Sequence, residues 1–108
     1  MEFSDYQNLT SDTAIYPIDI AYPYLALGLA GEAGEVANKI KKALRDNNRI
    51  IDTGMASDIG KELGDVLWYI AQMCEILGLD LNTVALKNLQ KLQDRKSRGV
   101  LGGSGDDR

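Results

Sequence analysis

The chain has 108 residues, of which 12 are lysine or arginine, 16 are aspartate or glutamate, one is cysteine and none is histidine. Without an imidazole there can be no Ser-His-Asp or Cys-His pair and no His-ligated metal site, so any acid, base or metal chemistry falls to carboxylates. The net charge of −4 argues against binding to nucleic acid or to a membrane and fits a cationic partner, while the single cysteine, Cys74, predicts a cytoplasmic protein without disulfides.

The first half of the chain predicts one short helix and one long helix. The short helix is expected around Phe3 to Asp12, followed by an irregular link through Tyr16 and Pro17. From Leu25 to Leu44, apolar residues recur at the i, i+3, i+4 and i+7 spacing of a single helical face. We therefore predict a helix from about Pro23 to Arg45, with Asn47 and Asn48 as the stop signal.

The second half predicts two more helices and no strand. The same apolar spacing runs from Ile59 to Leu77 and ends at Gly78, a natural left-handed terminator. Asp80 is a good N-cap for a last helix, which ends before Gly99. Since no segment alternates with a period of two and no apolar run approaches the roughly 18 residues of a membrane span, we predict a soluble all-α protein.

The domain organisation follows from these elements. We expect residues 1–98 to form a single helical domain and residues 99–108 to form a glycine-rich tail. The tail is either flexible or a loop that closes on another group, for example as a cradle for phosphates. Cys74 lies on the apolar face of the second long helix and is expected to be an inert core residue.

An internal repeat links the two long helices. The segment LAGEAGEVANKI at residues 29–40 aligns with IGKELGDVLWYI at residues 59–70, with a constant offset of thirty residues. Each segment carries two carboxylates three positions apart, on one shoulder of its apolar face. If the helices pack antiparallel, the two shoulders meet and four carboxylates share one site: Glu32, Glu35, Glu62 and Asp65.

Four carboxylates in one groove favour a metal ion. Their mutual repulsion in a partly dehydrated site requires cations to keep them ionised, and ligands that are all oxygen select Mg²⁺ or Mn²⁺, with Ca²⁺ as a competitor. The glycines inside the repeat, Gly34 and Gly64, are expected to let the two backbones come close. The alternative interpretation is that all four are ordinary solvated acids; a di-iron site is disfavoured because it needs histidine.

The carboxylate spacing resembles a known family signature. The ExxE of Glu32 and Glu35, followed after 26 residues by the ExxD of Glu62 and Asp65, resembles that of the MazG-like, all-α nucleoside triphosphate pyrophosphohydrolases. The segments GLAGEAGEV, KELGDVLWY and NLQKLQDRKSRG extend the resemblance over about residues 27–99. It implies Mg²⁺-dependent cleavage of a (d)NTP to the monophosphate and pyrophosphate, for house-cleaning or nucleotide-pool control.

The resemblance also implies the assembly, and the carboxylates suggest a mechanism. Family members form homodimers or homotetramers in which helices from different subunits complete the active site. With the metal held by the four carboxylates, we expect Glu35 to act as the base that takes a proton from water, with Glu32 as second choice. Two other functions stay open: a non-catalytic helical protein that binds metal or nucleotide, and a pyrophosphohydrolase of phosphoribosyl nucleotides.

Polar and basic residues near these motifs are candidate phosphate contacts. On the last helix Asn88, Lys91 and Arg95 form one polar stripe, which the resemblance places against the triphosphate. The alternative is that the bases complement the helix dipole. Lys39 is expected either to contact phosphate or to pair with Glu35, four residues earlier.

Aromatic residues supply the remaining candidates. Tyr69 lies four residues after Asp65 and is expected to donate a hydrogen bond to phosphate. Trp68 is expected to be turned away from that side, where it either stacks on a base or packs at a subunit interface. Base recognition is assigned to the N-terminal segment, through one of three residues: Tyr6, Gln7 or Tyr24.

Overall fold

The computed structural model describes all 108 residues as α-helices joined by short connections, with no strand. The helices are α1 (Phe3–Thr10), α2 (Ala21–Asp46), α3 (Thr53–Leu77) and α4 (Leu81–Ser97). Two short 3-10 turns, Ser11–Thr13 and Ile18–Ile20, lie between α1 and α2. The all-α prediction is confirmed. No helix is apolar over a length that would cross a membrane.

The ends of the helices follow local chemistry. The Asp80 carboxylate accepts a hydrogen bond from the Thr83 N–H at 3.0 Å, which confirms the predicted N-cap of α4. Gly78 ends α3 in the left-handed conformation, with a φ of 69°, as predicted for a glycine at this position. The helix α3 starts six residues before its apolar repeat, because the Asp52 carboxylate caps it by accepting from the Met55 N–H at 2.9 Å.

The helices α2 and α3 form the central hairpin. They contain 26 and 25 residues, and the connection between them is only residues 47–52. Such a short connection cannot return the chain to the far end of a helix this long, so α2 and α3 pack antiparallel along their lengths. This arrangement places the two halves of the sequence repeat against each other.

Helix α1 is attached to the turn between α3 and α4 by a buried glutamine. The Gln7 amide nitrogen donates to the Glu75 carboxylate and to the Leu79 carbonyl, both at 2.8 Å. Its amide oxygen accepts from the Leu81 N–H at 2.6 Å. Gln7 is therefore a structural clamp, and the prediction that it is available to contact a nucleobase is wrong.

The buried core of the chain is small. Ala71, Cys74 and Leu81 form its centre, which confirms Cys74 as a core residue, and burial raises the pKa of that thiol. Several leucines of the predicted apolar faces stay exposed, including Leu63 at 54% and Leu89 at 61%. The radius of gyration is 16.8 Å, against about 13 Å for a compact chain of this length. The chain thus leaves more than half of Leu63 and more than half of Leu89 uncovered.

Candidate metal centre

Three carboxylates from the two halves of the repeat meet on the α2–α3 hairpin. Oxygen atoms of Glu32 on α2 and of Glu62 and Asp65 on α3 all lie within 4.8 Å of one another. Glu32 and Glu62 are half-buried and Asp65 is exposed. The antiparallel hairpin thus brings together three of the four carboxylates that the repeat predicted. We call Glu32, Glu62 and Asp65 the carboxylate centre.

Glu35, the fourth carboxylate of the repeat, is exposed and lies outside this closest group. Its charge still acts on the centre, because it contributes to raising the pKa of Glu32. The structure therefore places three of the four expected ligands in one group, with Glu35 at its edge.

The separations in the carboxylate centre fit a single hard cation. Two oxygens on opposite sides of one Mg²⁺ or Ca²⁺ ion are about 4 to 5 Å apart, given the usual bond lengths of these ions. The oxygens of the centre, all within 4.8 Å, already lie in that range. Because all the donors are carboxylates, the centre suits Mg²⁺ or Mn²⁺ better than metals that prefer nitrogen or sulfur.

The electrostatics of the centre also favour a cation. Hydrogen bonding to Glu62, then burial, then the charges of Asp65, Glu62 and Glu35 raise the pKa of Glu32 above its usual range. Each of these causes penalises the ionised form of Glu32. A bound divalent ion would reverse that penalty, so the metal-free protein carries an electrostatic cost that the metal would remove.

This cost predicts a pH-dependent stability difference. A carboxylate whose folded-state pKa is raised stabilises the fold at low pH, and that contribution is lost as the pH rises through the raised pKa. In EDTA at neutral pH, we expect Glu32→Gln to melt a few degrees above the wild type, with a difference that shrinks toward pH 4. Thermal melts followed by circular dichroism across this range measure it. A Glu32→Gln protein that melts below the wild type at neutral pH would contradict the electrostatic argument.

Lys39 supplies a positive charge to the centre from α2. Its Nζ lies 3.4 Å from the Glu62 Oε1, so the ion pair crosses the hairpin. The predicted pair with Glu35 is wrong, because the facing helix brings a carboxylate closer to Lys39 than its own helix does. Contact between Lys39 and phosphate stays a prediction.

A cavity opens directly beside the carboxylates. It measures about 370 Å³ and is lined by Thr13, Glu32, Asp65, Trp68 and Tyr69. The Trp68 Nε1 donates to the Thr13 Oγ1 at 2.9 Å, so the first 3-10 turn holds the indole at the cavity wall. The expectation that Trp68 is turned away from the metal side is wrong, because the indole donates its hydrogen bond to Thr13 and lines the cavity next to the carboxylates.

Tyr69 is held beside the carboxylates by close packing. Its ring lies edge-on to Trp68, with 5.1 Å between the ring centroids, and it fills the space above Gly28 of α2. Burial, and then the neighbouring Tyr24, Glu32 and Asp65, raise the pKa of Tyr69. Its phenol therefore stays protonated and remains a hydrogen-bond donor at the edge of the cavity.

The glycine of α2 that lies in close contact with α3 is Gly28, and neither glycine of the repeat makes such a contact. A Cβ atom placed on Gly34 or Gly64 would meet no atom within 4 Å. At Gly28 it would overlap the Tyr69 ring, where the Cδ1, Cε1 and Cζ atoms all lie within 2.7 Å. The prediction for Gly34 and Gly64 is therefore wrong, since both lie on exposed parts of their helices.

Sequence reasoning missed a second aromatic layer next to the cavity. Tyr16, in the link before α2, stacks on Tyr24 with ring centroids 5.4 Å apart and faces Trp68 edge-on at 6.5 Å. The Tyr16 hydroxyl donates to the buried Gln72 at 2.6 Å. An aromatic residue next to a proline in the link before α2 was the available signal. Tyr24 stays a candidate for base contact, whereas Tyr6 packs against the core.

The two basic side chains of α4 that were predicted to contact phosphate lie close to the C-terminal tail. Lys91 and Arg95 both lie near the Asp106 carboxylate, at 3.8 Å and 3.7 Å from its Oδ1. Asn88 is exposed and lines a separate cleft with Lys91. Neither base forms an ion pair with the carboxylate centre. Contact of these three residues with substrate stays a prediction.

Fold and site together define an all-α protein whose helical hairpin carries a carboxylate centre suited to a divalent cation. The MazG nucleotide pyrophosphohydrolase domain matches residues 22–100, and the chain belongs to that family. It is also similar to the "Gene 37 protein" of Mycobacterium phage L5, with 50% identity over 115 aligned residues that cover 100% of each chain. No solved structure matches the chain significantly.

Proposed function

We propose that this protein is a Mg²⁺-dependent pyrophosphohydrolase that cleaves a (d)NTP to the monophosphate and pyrophosphate. The observation that carries the proposal is the carboxylate centre, formed by the two halves of the repeat in a chain of the MazG family. Mg²⁺ is the preferred ion, with Mn²⁺ as the alternative, because the donors are all oxygen. The proposed role is house-cleaning or control of the nucleotide pool in the cytoplasm.

The carboxylates divide into ligands and a base. Glu32, Glu62 and Asp65 would hold the metal, with Glu35 at the edge of the group. When bound, Mg²⁺ supplies a Lewis acid that polarises phosphate oxygens and makes a nearby water more acidic. We assign Glu35 as the residue that takes the proton from the attacking water, because it is the motif carboxylate outside the closest group. Glu32 is the second candidate.

The remaining polar residues would orient the triphosphate. Water adds to a phosphorus and a phosphoanhydride P–O bond breaks, so negative charge grows on the departing phosphate oxygen. We assign Lys39 and the protonated Tyr69 to phosphate oxygens near the carboxylate centre, which both residues border. The helix α4 would supply Asn88, Lys91 and Arg95 to stabilise the growing charge.

The proposed assembly is a homodimer or homotetramer. Leu89 and Leu92 on α4 are 61% and 40% exposed, and α4 packs chiefly on the short α1. A second copy that covered these leucines would bury apolar surface that the single chain leaves in water. The α4 bases of one subunit would then lie near the carboxylate centre of another, which a single chain does not achieve.

The test of this function is pyrophosphate release from a panel of natural and damaged (d)NTPs. We expect turnover with Mg²⁺ or Mn²⁺ and none with EDTA, with the monophosphate as the second product. A phosphoribosyl nucleotide belongs in the panel, because its cleavage alone would identify the related activity. A rise in melting temperature with Mg²⁺, without turnover on any compound, would identify the centre as structural and overturn the enzyme assignment.

A further inference from the structure

The tail after α4 is a folded loop and not a loose end. The Arg108 guanidinium donates to backbone carbonyls along the tail, among them those of Leu101 and Gly102, both at 3.1 Å. In return the main-chain oxygen of Arg108 accepts from the Arg98 side chain, at the C-terminal end of α4, at 2.6 Å. Gly103 and Gly105, with φ values of 89° and 90°, provide the left-handed backbone that this closed loop requires.

The folded tail presents an anion to the two bases of α4. The Asp106 Oδ1 lies 3.7 Å from the Arg95 guanidinium and 3.8 Å from the Lys91 Nζ. Arg95 also donates to the Asp106 backbone carbonyl at 2.7 Å. One carboxylate between a lysine and an arginine matches the way these side chains bind a phosphate group.

Arg95 is buried where it meets the tail. The Arg95 side chain is only 6% exposed, whereas Lys91, one turn earlier on α4, is 45% exposed. The tail lies against the Arg95 side chain, because the Asp106 carbonyl accepts a hydrogen bond from the Arg95 guanidinium at 2.7 Å. In this conformation the Arg95 guanidinium already donates to the tail and lies 3.7 Å from the exposed Asp106 carboxylate, so a phosphate that binds Arg95 must compete with Asp106.

We propose that Asp106 occupies the anion site of Lys91 and Arg95 in the free protein, and that a phosphate-bearing ligand must displace it. The tail is thus a strap that competes with the substrate for Lys91 and Arg95. This inference rests on the proposed function, in which Lys91 and Arg95 hold the triphosphate. Only molecules in which the strap is open can bind phosphate. The apparent affinity is therefore the intrinsic affinity multiplied by the fraction of molecules with an open strap.

The experiment measures binding of inorganic pyrophosphate with Mg²⁺ by calorimetry, so that it does not depend on turnover. Asp106→Asn keeps the backbone carbonyl that Arg95 donates to, but removes the competing charge. We expect it to tighten binding about three- to tenfold, as when a partly populated open state becomes dominant. The matched control is Asp107→Asn, which removes the same charge from an exposed neighbour without an ion pair and is expected to leave the affinity within about twofold.

A second measurement follows the strap directly. In the wild type, pyrophosphate should speed amide hydrogen exchange across residues 99–108 while α3 stays protected. If Asp106→Asn and Asp107→Asn bind pyrophosphate equally, or if Asp106→Asn binds it more weakly, the strap proposal is overturned even if the enzyme turns over (d)NTPs. Tighter binding by Asp106→Asn in a protein that cleaves no nucleotide would support the strap and remove the proposed function alone.

Discussion

Replacing Asp65 with Asn, or Glu62 with Gln, should lower turnover by about a thousandfold or more. Each amide keeps the shape of the carboxylate and removes one charge from the carboxylate centre. Loss of a metal ligand removes several kcal/mol of charge stabilisation in the transition state, and each 1.36 kcal/mol is a factor of ten in rate. The measurement is kcat for pyrophosphate release at saturating Mg²⁺.

The same variants should fold normally, which separates this loss from unfolding. Asp65 is exposed, so Asn at that position costs little packing, and its circular dichroism spectrum should match that of the wild type. The matched control is Asp58→Asn, one of the exposed acids of α3, which pairs only with Lys61. We expect the control to keep full turnover and the melting-temperature gain with Mg²⁺, and Asp65→Asn to lose both. Full turnover in both Asp65→Asn and Glu62→Gln would refute the metal assignment.

The helices could be predicted because their signals are local. The apolar spacing of α2 and α3, the Asp80 cap and the Gly78 terminator each depend on a few neighbouring residues, and the structure confirms all of them. The first turns of α3 were missed, because residues 53–58 carry no apolar repeat and depend on the Asp52 cap. The repeat predicted the three residues of the carboxylate centre, since both halves present their acids on the same shoulder of the helix, but it also predicted Glu35, which lies outside the closest group.

The contacts between helices could not be predicted from periodicity. Lys39 had two carboxylates within reach, and only the packing of the hairpin selects Glu62 over Glu35. Trp68 points to the cavity because a 3-10 turn from the N-terminal link offers Thr13 as its acceptor. The composition of residues 99–108 alone favoured a flexible tail, and the closed loop that the structure shows is held by hydrogen bonds of Arg108 to several carbonyls, which composition does not predict.

Gly28→Ala should destabilise the fold by about 1 to 3 kcal/mol, the usual cost of forcing an extra methyl group into a packed contact. The added Cβ would overlap the Tyr69 ring, which lies between the two long helices at the edge of the cavity. The ring must move or the helices must separate, so we also expect weaker binding of the nucleotide. Denaturant titration measures the first effect and KM for the (d)NTP measures the second.

A control on the same helix separates this clash from the general effect of alanine. Gly31 lies three residues further along α2, where an added Cβ meets no atom within 4 Å. Gly31→Ala should therefore stabilise the protein by up to about 1 kcal/mol, since alanine favours the helix more than glycine does. A second substitution, Tyr69→Leu, removes the ring and should relieve much of the Gly28→Ala penalty, which a double-mutant cycle would record as coupling. If Gly28→Ala were as stable as Gly31→Ala, or if the two substitutions at positions 28 and 69 were simply additive, Gly28 would not be the residue that positions Tyr69.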